Sequence, residues 1–117
     1  MKILITGGVK SGKSINAEKR ILEISGESIP IYLATTEIID PEMGERIDIH
    51  RERRGHKFHT IEESLYLSKS IKDKKEPVLI ECLTMWLNNA LHYNFSEKEI
   101  FSEINDLLKL ENDLVFV

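Results

Sequence analysis

Near its start the chain carries Gly7-Gly8-Val9-Lys10-Ser11-Gly12-Lys13-Ser14, which fits the spacing G-x-x-x-x-G-K-[ST] of a phosphate-binding loop. Each fixed position has a chemical reason. Gly7 and Gly12 lack a side chain that would stop the backbone from wrapping around phosphate oxygens and presenting N–H groups to them. Lys13 would reach the outer phosphates of a triphosphate as a point charge, and the hydroxyl of Ser14 would complete the oxygen shell of Mg²⁺. The run from Gly7 through Ser14 to Ile15 is therefore the expected nucleotide-binding stretch, with GTP or ATP as its substrate. Such a loop needs an acid on the metal side, at the C-terminal end of a neighbouring strand, and Glu81 closes the apolar run Val78-Leu79-Ile80. Glu81 and Ser14 are thus the expected metal pair. The competing role for Glu81 is to cap the helix that follows it.

A second concentration of reactive groups, Arg46, His50, Arg51, Arg53, Arg54, His56, Lys57 and His59, stands against few acids. Guanidinium forks pair with phosphate oxygens in bidentate fashion, and a neutral imidazole can serve near pH 7 as nucleophile or general base. The plainer reading is a solvated helix face with one histidine at the core boundary. His56 and His59, even with His92, match no zinc spacing. Trp86 with Leu83, Leu87 and Leu91 is expected to be core rather than a platform for a base. Cys82 is expected to be buried rather than reactive.

These groups must be positioned by a small scaffold. The chain has 117 residues, enough for one domain over 1–117. Its formal charge of −4 opposes a main role in gripping nucleic acid, and its single cysteine rules out an internal disulfide. No apolar run approaches the roughly 18 residues of a membrane span, and the residue usage fits the cytoplasm. Residues 2–6 read as a strand, 14–25 as a helix and 29–35 as a strand. Asp40-Pro41 opens a polar helix over 40–54 that carries Met43, Ile47 and His50 along one face. A strand over 58–61, a helix over 62–72, a strand over 78–82 and a helix over 83–93 follow. Ser96 and Glu99 form a capping box for a helix with the stripe Ile100, Ile104, Leu107 and Leu108, before a last strand over 113–117. This alternation specifies an α/β fold with a mostly parallel sheet and helices on both faces.

Several stretches are distinctive in order and spacing: Ile5-Thr6 running into the glycine loop, Tyr32-Leu33-Ala34-Thr35-Thr36, and Asp40-Pro41-Glu42-Met43-Gly44-Glu45-Arg46-Ile47 followed by His50. Arg54, Thr60-Ile61-Glu62 and Leu79-Ile80-Glu81-Cys82-Leu83-Thr84-Met85-Trp86-Leu87-Asn88-Asn89 complete the series. In these features the chain resembles the bifunctional adenosylcobinamide kinase / adenosylcobinamide-phosphate guanylyltransferase family of cobalamin biosynthesis. The resemblance implies a P-loop NTPase-like fold and a two-step activity on adenosylcobinamide and its phosphate. It implies that His50 becomes covalently guanylylated, so that His50 and Lys13 are the catalytic pair. Arg51, Glu52, Arg53 and Arg54 would contact the nucleotide, with Ala34, Thr35, Thr36, Glu62 and Glu81 in the same site. A homotrimer is implied too. Family members continue past the strand at 114–117 into a further loop, strand and helix, so the chain is expected to be C-terminally truncated relative to them. Two rival readings use the same loop: another small-molecule P-loop kinase without a covalent intermediate, and a non-catalytic nucleotide-binding fragment.

Overall fold

The computed structural model describes residues 1–8, 11–36 and 55–117. Its centre is a parallel sheet of five strands, β1 (Lys2–Leu4), β2 (Ile31–Ala34), β3 (His59–Glu62), β4 (Val78–Glu81) and β5 (Leu114–Phe116), in the order β1-β5-β4-β2-β3. The three inner strands are almost wholly apolar because their pleat sends alternate side chains to two faces and both faces are covered. Toward one face, Ile31, Leu33, Val78, Ile80, Leu114 and Phe116 pack with helices α2 (Leu67–Ile71), α3 (Leu83–His92) and α4 (Glu97–Lys109). Toward the other, Tyr32, Leu79, Val115 and Val117 meet Ala17 and Ile21 of α1 (Lys13–Ser25) and Phe58. Each fully buried Leu, Ile or Val contributes about 1.5–3 kcal/mol against its exposed state.

The expected α/β architecture is therefore present, with helices on both faces of the sheet. Local chemistry explains where elements start. The Ser96 hydroxyl accepts from the Glu99 amide at 3.1 Å while the Glu99 carboxylate accepts from the Ser96 amide at 3.1 Å, closing the capping box of α4. Three expectations need correction. The helix expected over 62–72 begins only at Leu67, because Glu62 still pairs with Ala34 in the sheet and the Glu63 carboxylate folds a turn by accepting from the amides of Leu65 and Tyr66. On α3 the buried set is Trp86, Asn89 and Ala90, one helical face. Leu83 packs at the edge of that core, whereas Leu87 and Leu91 point outward at 40% and 57% exposure. On α4, Leu107 is buried and Leu108, turned about 100° further round the helix, is half exposed.

The polar helix expected over 40–54 lies outside the described residues, as do Val9 and Lys10. Among the described residues no helix is long and apolar enough to cross a membrane.

Candidate functional site

In a parallel sheet every strand delivers its C-terminal end to the same edge, where open α/β folds bind their ligands. Here that edge collects the chain after β1, the Ala34-Thr35-Thr36 end of β2, Glu62 at the end of β3 and Glu81 at the end of β4. Ala34 is the register partner of both Glu62 and Glu81, so three of the strand ends stand level. The described site residues named from sequence thus share one edge, although they span much of the chain.

Beyond β1 the Ile5 amide still bonds Phe116 O at 2.8 Å, and the chain then turns away as the glycine loop. The Ser11 amide donates to Gly8 O at 3.3 Å, and Lys13 Nζ donates to Gly7 O at 3.1 Å and Gly8 O at 3.4 Å. The lysine is therefore folded onto its own loop, against neutral carbonyls that phosphate oxygens would displace as stronger acceptors. A Cβ on Gly7 would lie 2.5 Å from Ser11 Oγ and 3.3 Å from Ser11 Cβ, so a side chain there would force Ser11 to shift. Gly12, at φ +82°, holds the left-handed conformation that turns the loop into α1. No side chain caps α1 and no acid occupies its first turn, which leaves the positive end of the helix dipole facing the loop. Ile15 is half exposed in that same turn.

Two hydroxyls hold Glu81. Ser14 Oγ donates to Oε1 at 2.6 Å, and Tyr32 Oη donates to Oε2 at 2.6 Å. Because the Ser14 proton is spent on Glu81, the lone pairs of Ser14 Oγ stay available. A hydroxyl beside a carboxylate is a hard-oxygen pair of the kind Mg²⁺ prefers. The capping role considered for Glu81 falls instead to its neighbour: Cys82 is the N-cap of α3, its Sγ accepting from the Met85 amide at 3.3 Å. Cys82 is accordingly half-buried and engaged, rather than fully enclosed.

Thr35 has a different position from the one its place in the motif suggests. It is completely buried, and its hydroxyl donates to Cys82 O at 2.8 Å while accepting from Cys82 N at 2.9 Å. That side chain ties the end of β2 to the end of β4 beneath the edge. Asn89 completes the brace from α3, donating through Nδ2 to Thr35 O at 2.8 Å and Ser64 O at 3.2 Å, while Trp86 Nε1 donates to Leu65 O at 2.8 Å. Replacing Asn89 with leucine keeps the volume but takes the donor from the buried Thr35 carbonyl, and an unpaired buried group costs about 1–3 kcal/mol. The expected result is a melting temperature lower by about 10 °C in a thermal denaturation scan.

Sequence reasoning missed Tyr32 and Asn89 as members of this arrangement. Each carried a signal, since Tyr32 is the one polar tip in the strand Ile31–Ala34 and Asn89 lies three residues from Trp86 on the buried face of α3. His50, Arg51, Glu52, Arg53 and Arg54 lie outside the described residues. The other three histidines stand away from the edge. His59 opens β3 at its N-terminal end, roughly 10 Å from Glu62 along the strand, and His56 lies in the turn Gly55–Lys57 just before it. His92 ends α3, which starts at the edge and runs away from it. Among the described residues no three His, Cys, Asp or Glu side chains cluster as a metal cage.

The family model described as cobinamide kinase / cobinamide phosphate guanyltransferase matches residues 3–117. A bifunctional adenosylcobalamin biosynthesis protein of Pseudomonas aeruginosa, CobP, is 44% identical over 94 residues, covering 78% of this chain and 53% of its own length. The protein of that description in Escherichia coli, CobU, is 36% identical over 123 aligned positions, covering 92% of this chain and 66% of its own. CobU of Salmonella typhimurium is 38% identical over 95 residues, at 78% and 50%. The chain therefore spans about half to two-thirds of the length of these relatives. With a match over nearly its whole length, it belongs to the cobinamide kinase / cobinamide phosphate guanyltransferase family.

Proposed function

We propose that this chain provides the nucleotide-binding machinery of an enzyme that phosphorylates the aminopropanol hydroxyl of adenosylcobinamide and then transfers GMP from GTP to the new phosphate. The observation that carries the reading is the bond between Ser14 of the glycine loop and Glu81, residues 67 apart in sequence and 2.6 Å apart in the fold. A helix with an uncapped, acid-free start and a loop lysine beside it supports a polyphosphate in the same place. The names of the relatives, bifunctional adenosylcobalamin biosynthesis proteins, support the pairing of two activities.

In the kinase step the loop amides and Lys13 orient the triphosphate and neutralise charge on its outer oxygens, which is most of what phosphoryl transfer asks of a protein. Ser14 and Glu81 would hold Mg²⁺, whose charge would further neutralise the phosphate oxygens. In the second step neutral His50 attacks the α-phosphorus of GTP, a P–N bond forms, the bond to the bridging oxygen breaks and pyrophosphate leaves. A phosphate oxygen of adenosylcobinamide phosphate then attacks the same phosphorus, the P–N bond breaks and His50 is regenerated. Arg51, Arg53 and Arg54 would pair with the phosphates, with Glu52, Ala34, Thr36 and Glu62 lining the nucleotide, and Thr35 setting the strand end beneath them. The work belongs in the cytoplasm, where the lone Cys82 stays reduced.

The test is to incubate the chain with Mg²⁺ and GTP labelled at either the α or the γ phosphorus. The γ label is expected to move to adenosylcobinamide. The α label is expected on the protein in an acid-labile bond that adenosylcobinamide phosphate discharges. Transfer of γ label alone would replace this reading with a simple small-molecule kinase. Nucleotide binding with neither transfer would leave a non-catalytic nucleotide-binding fragment.

A further inference from the structure

We infer that Tyr32 is a positioning residue for the divalent cation at the glycine loop, its phenol fixing the Glu81 carboxylate so that the loop serine is kept in a ligating orientation. The inference rests on the reading of Ser14 and Glu81 as the metal pair and deepens it. Three observations on separate elements carry it. Tyr32 is only 6% exposed, and its ring lies on the α1 side of the sheet with Ala17, Ile21, Leu79 and Val115. The Phe58 ring meets it edge-on, with centroids 5.6 Å apart and planes at 76°, a favoured geometry for aromatic pairs that holds the phenol in place. Its hydroxyl reaches the partly exposed edge and donates to Glu81 Oε2 at 2.6 Å, while Oε1 takes the Ser14 proton at 2.6 Å.

The consequence follows from the number of hydrogens available. A serine hydroxyl has one proton and two lone pairs, so Ser14 can ligate a cation well only while its proton points elsewhere. Glu81 receives that proton, but a glutamate side chain at a half-exposed strand end has three rotatable bonds and many ways to turn aside. Tyr32 is anchored in the core and grips the other carboxylate oxygen, so rotation of Glu81 away from Ser14 breaks two short bonds at once. Partners one step behind a metal ligand act in this way, by orienting it. A phenylalanine at position 32 would fill the same core volume without doing so.

The experiment compares the wild-type chain with Tyr32→Phe by two titrations, Mn²⁺ followed by electron paramagnetic resonance in the presence of a non-hydrolysable GTP analogue, and the fluorescent form of that analogue with and without Mg²⁺. Tyr32→Phe is expected to weaken cation affinity about tenfold. Analogue binding in EDTA should be unchanged, and the melting temperature should fall by no more than about 5 °C. In a Glu81→Asp background the carboxylate is too short to span both hydroxyls, so adding Tyr32→Phe should cost less than about twofold more, a clear departure from additivity. Equal cation affinity for Tyr32→Phe and wild type would overturn the inference alone, as would equal weakening with and without metal. If wild-type chain binds the analogue no better with Mg²⁺ than in EDTA, the metal-pair reading itself fails and the role of Tyr32 falls with it.

Discussion

The Lys13→Ala chain is expected to lose about 10²- to 10³-fold in γ-phosphoryl transfer to adenosylcobinamide and to lose α-label retention from GTP with it. The residue opens α1 beside Gly12, and its ammonium lies on Gly7 O and Gly8 O at 3.1 and 3.4 Å, within the loop rather than in the core. Removing it therefore takes the ammonium out of the loop while leaving the packing of Ala17 and Ile21 behind it intact. The melting temperature of the nucleotide-free variant should stay within about 2 °C of wild type. In the proposed mechanism both steps start from a triphosphate seated on the same loop, so both should fall together. Lys13→Arg should not restore them, because a planar fork cannot replace a compact point charge inside a tight loop. Filter binding of GTP and the two label-transfer assays measure the effect; near-normal transfer by Lys13→Ala would remove the loop from the catalytic account.

The parts of this molecule legible in its sequence are those governed by neighbours along the chain. The capping box of Ser96 and Glu99 depends on residues three apart, and the glycine loop on eight consecutive ones, so both were readable. The apolar runs of β2, β4 and β5 also announced strands buried on two faces, because before Glu81 only the Tyr32 hydroxyl interrupts them. Periodicity was less informative about direction. Leucines at four-residue spacing define a face of α3, yet the sheet is met by Trp86, Asn89 and Ala90, and Leu87 and Leu91 are left outside. A polar side chain in the buried set was the clue, and propensity alone gives it no weight. Glu62 misled in a similar way, since an acid before an apolar run suggests a helix start, whereas pairing with Ala34 keeps it in β3.

The site was legible in its ends and illegible in its middle. Ser14 and Glu81 could be paired in advance because the loop chemistry demands an acid at a strand end. The bonds that hold them could not. Tyr32 meets Glu81 across 49 residues and Asn89 meets Thr35 across 54, and neither pair follows from a spacing rule. Both depend on the strand order β5-β4-β2, which puts chain segments side by side that sequence order keeps apart. The motif Tyr32 to Thr36 thus divides by depth: Tyr32 and Thr35 serve from below, and Ala34 and Thr36 are the positions left half open at the edge.

The second large effect is expected at His50 and differs in kind from that at Lys13. His50→Ala should abolish acid-labile retention of α label, because the three described imidazoles lie away from the glycine loop: His59 and His56 stand at the opposite edge of the sheet, and His92 at the far end of α3. A covalent intermediate needs a nucleophile within about 3.5 Å of phosphorus, and loss of the attacking atom leaves only slow attack by water. In the proposed mechanism the kinase step draws on Lys13, Ser14 and Glu81 and makes no bond to His50, so transfer of γ label to adenosylcobinamide should remain within about threefold of wild type. The two variants together separate the functions: Lys13→Ala loses both labels, and His50→Ala loses one. If His50→Ala still retained α label, the nucleophile would have to lie elsewhere, and His56→Ala and His59→Ala would be the next variants to examine. Their placement at the wrong edge predicts that neither changes the label.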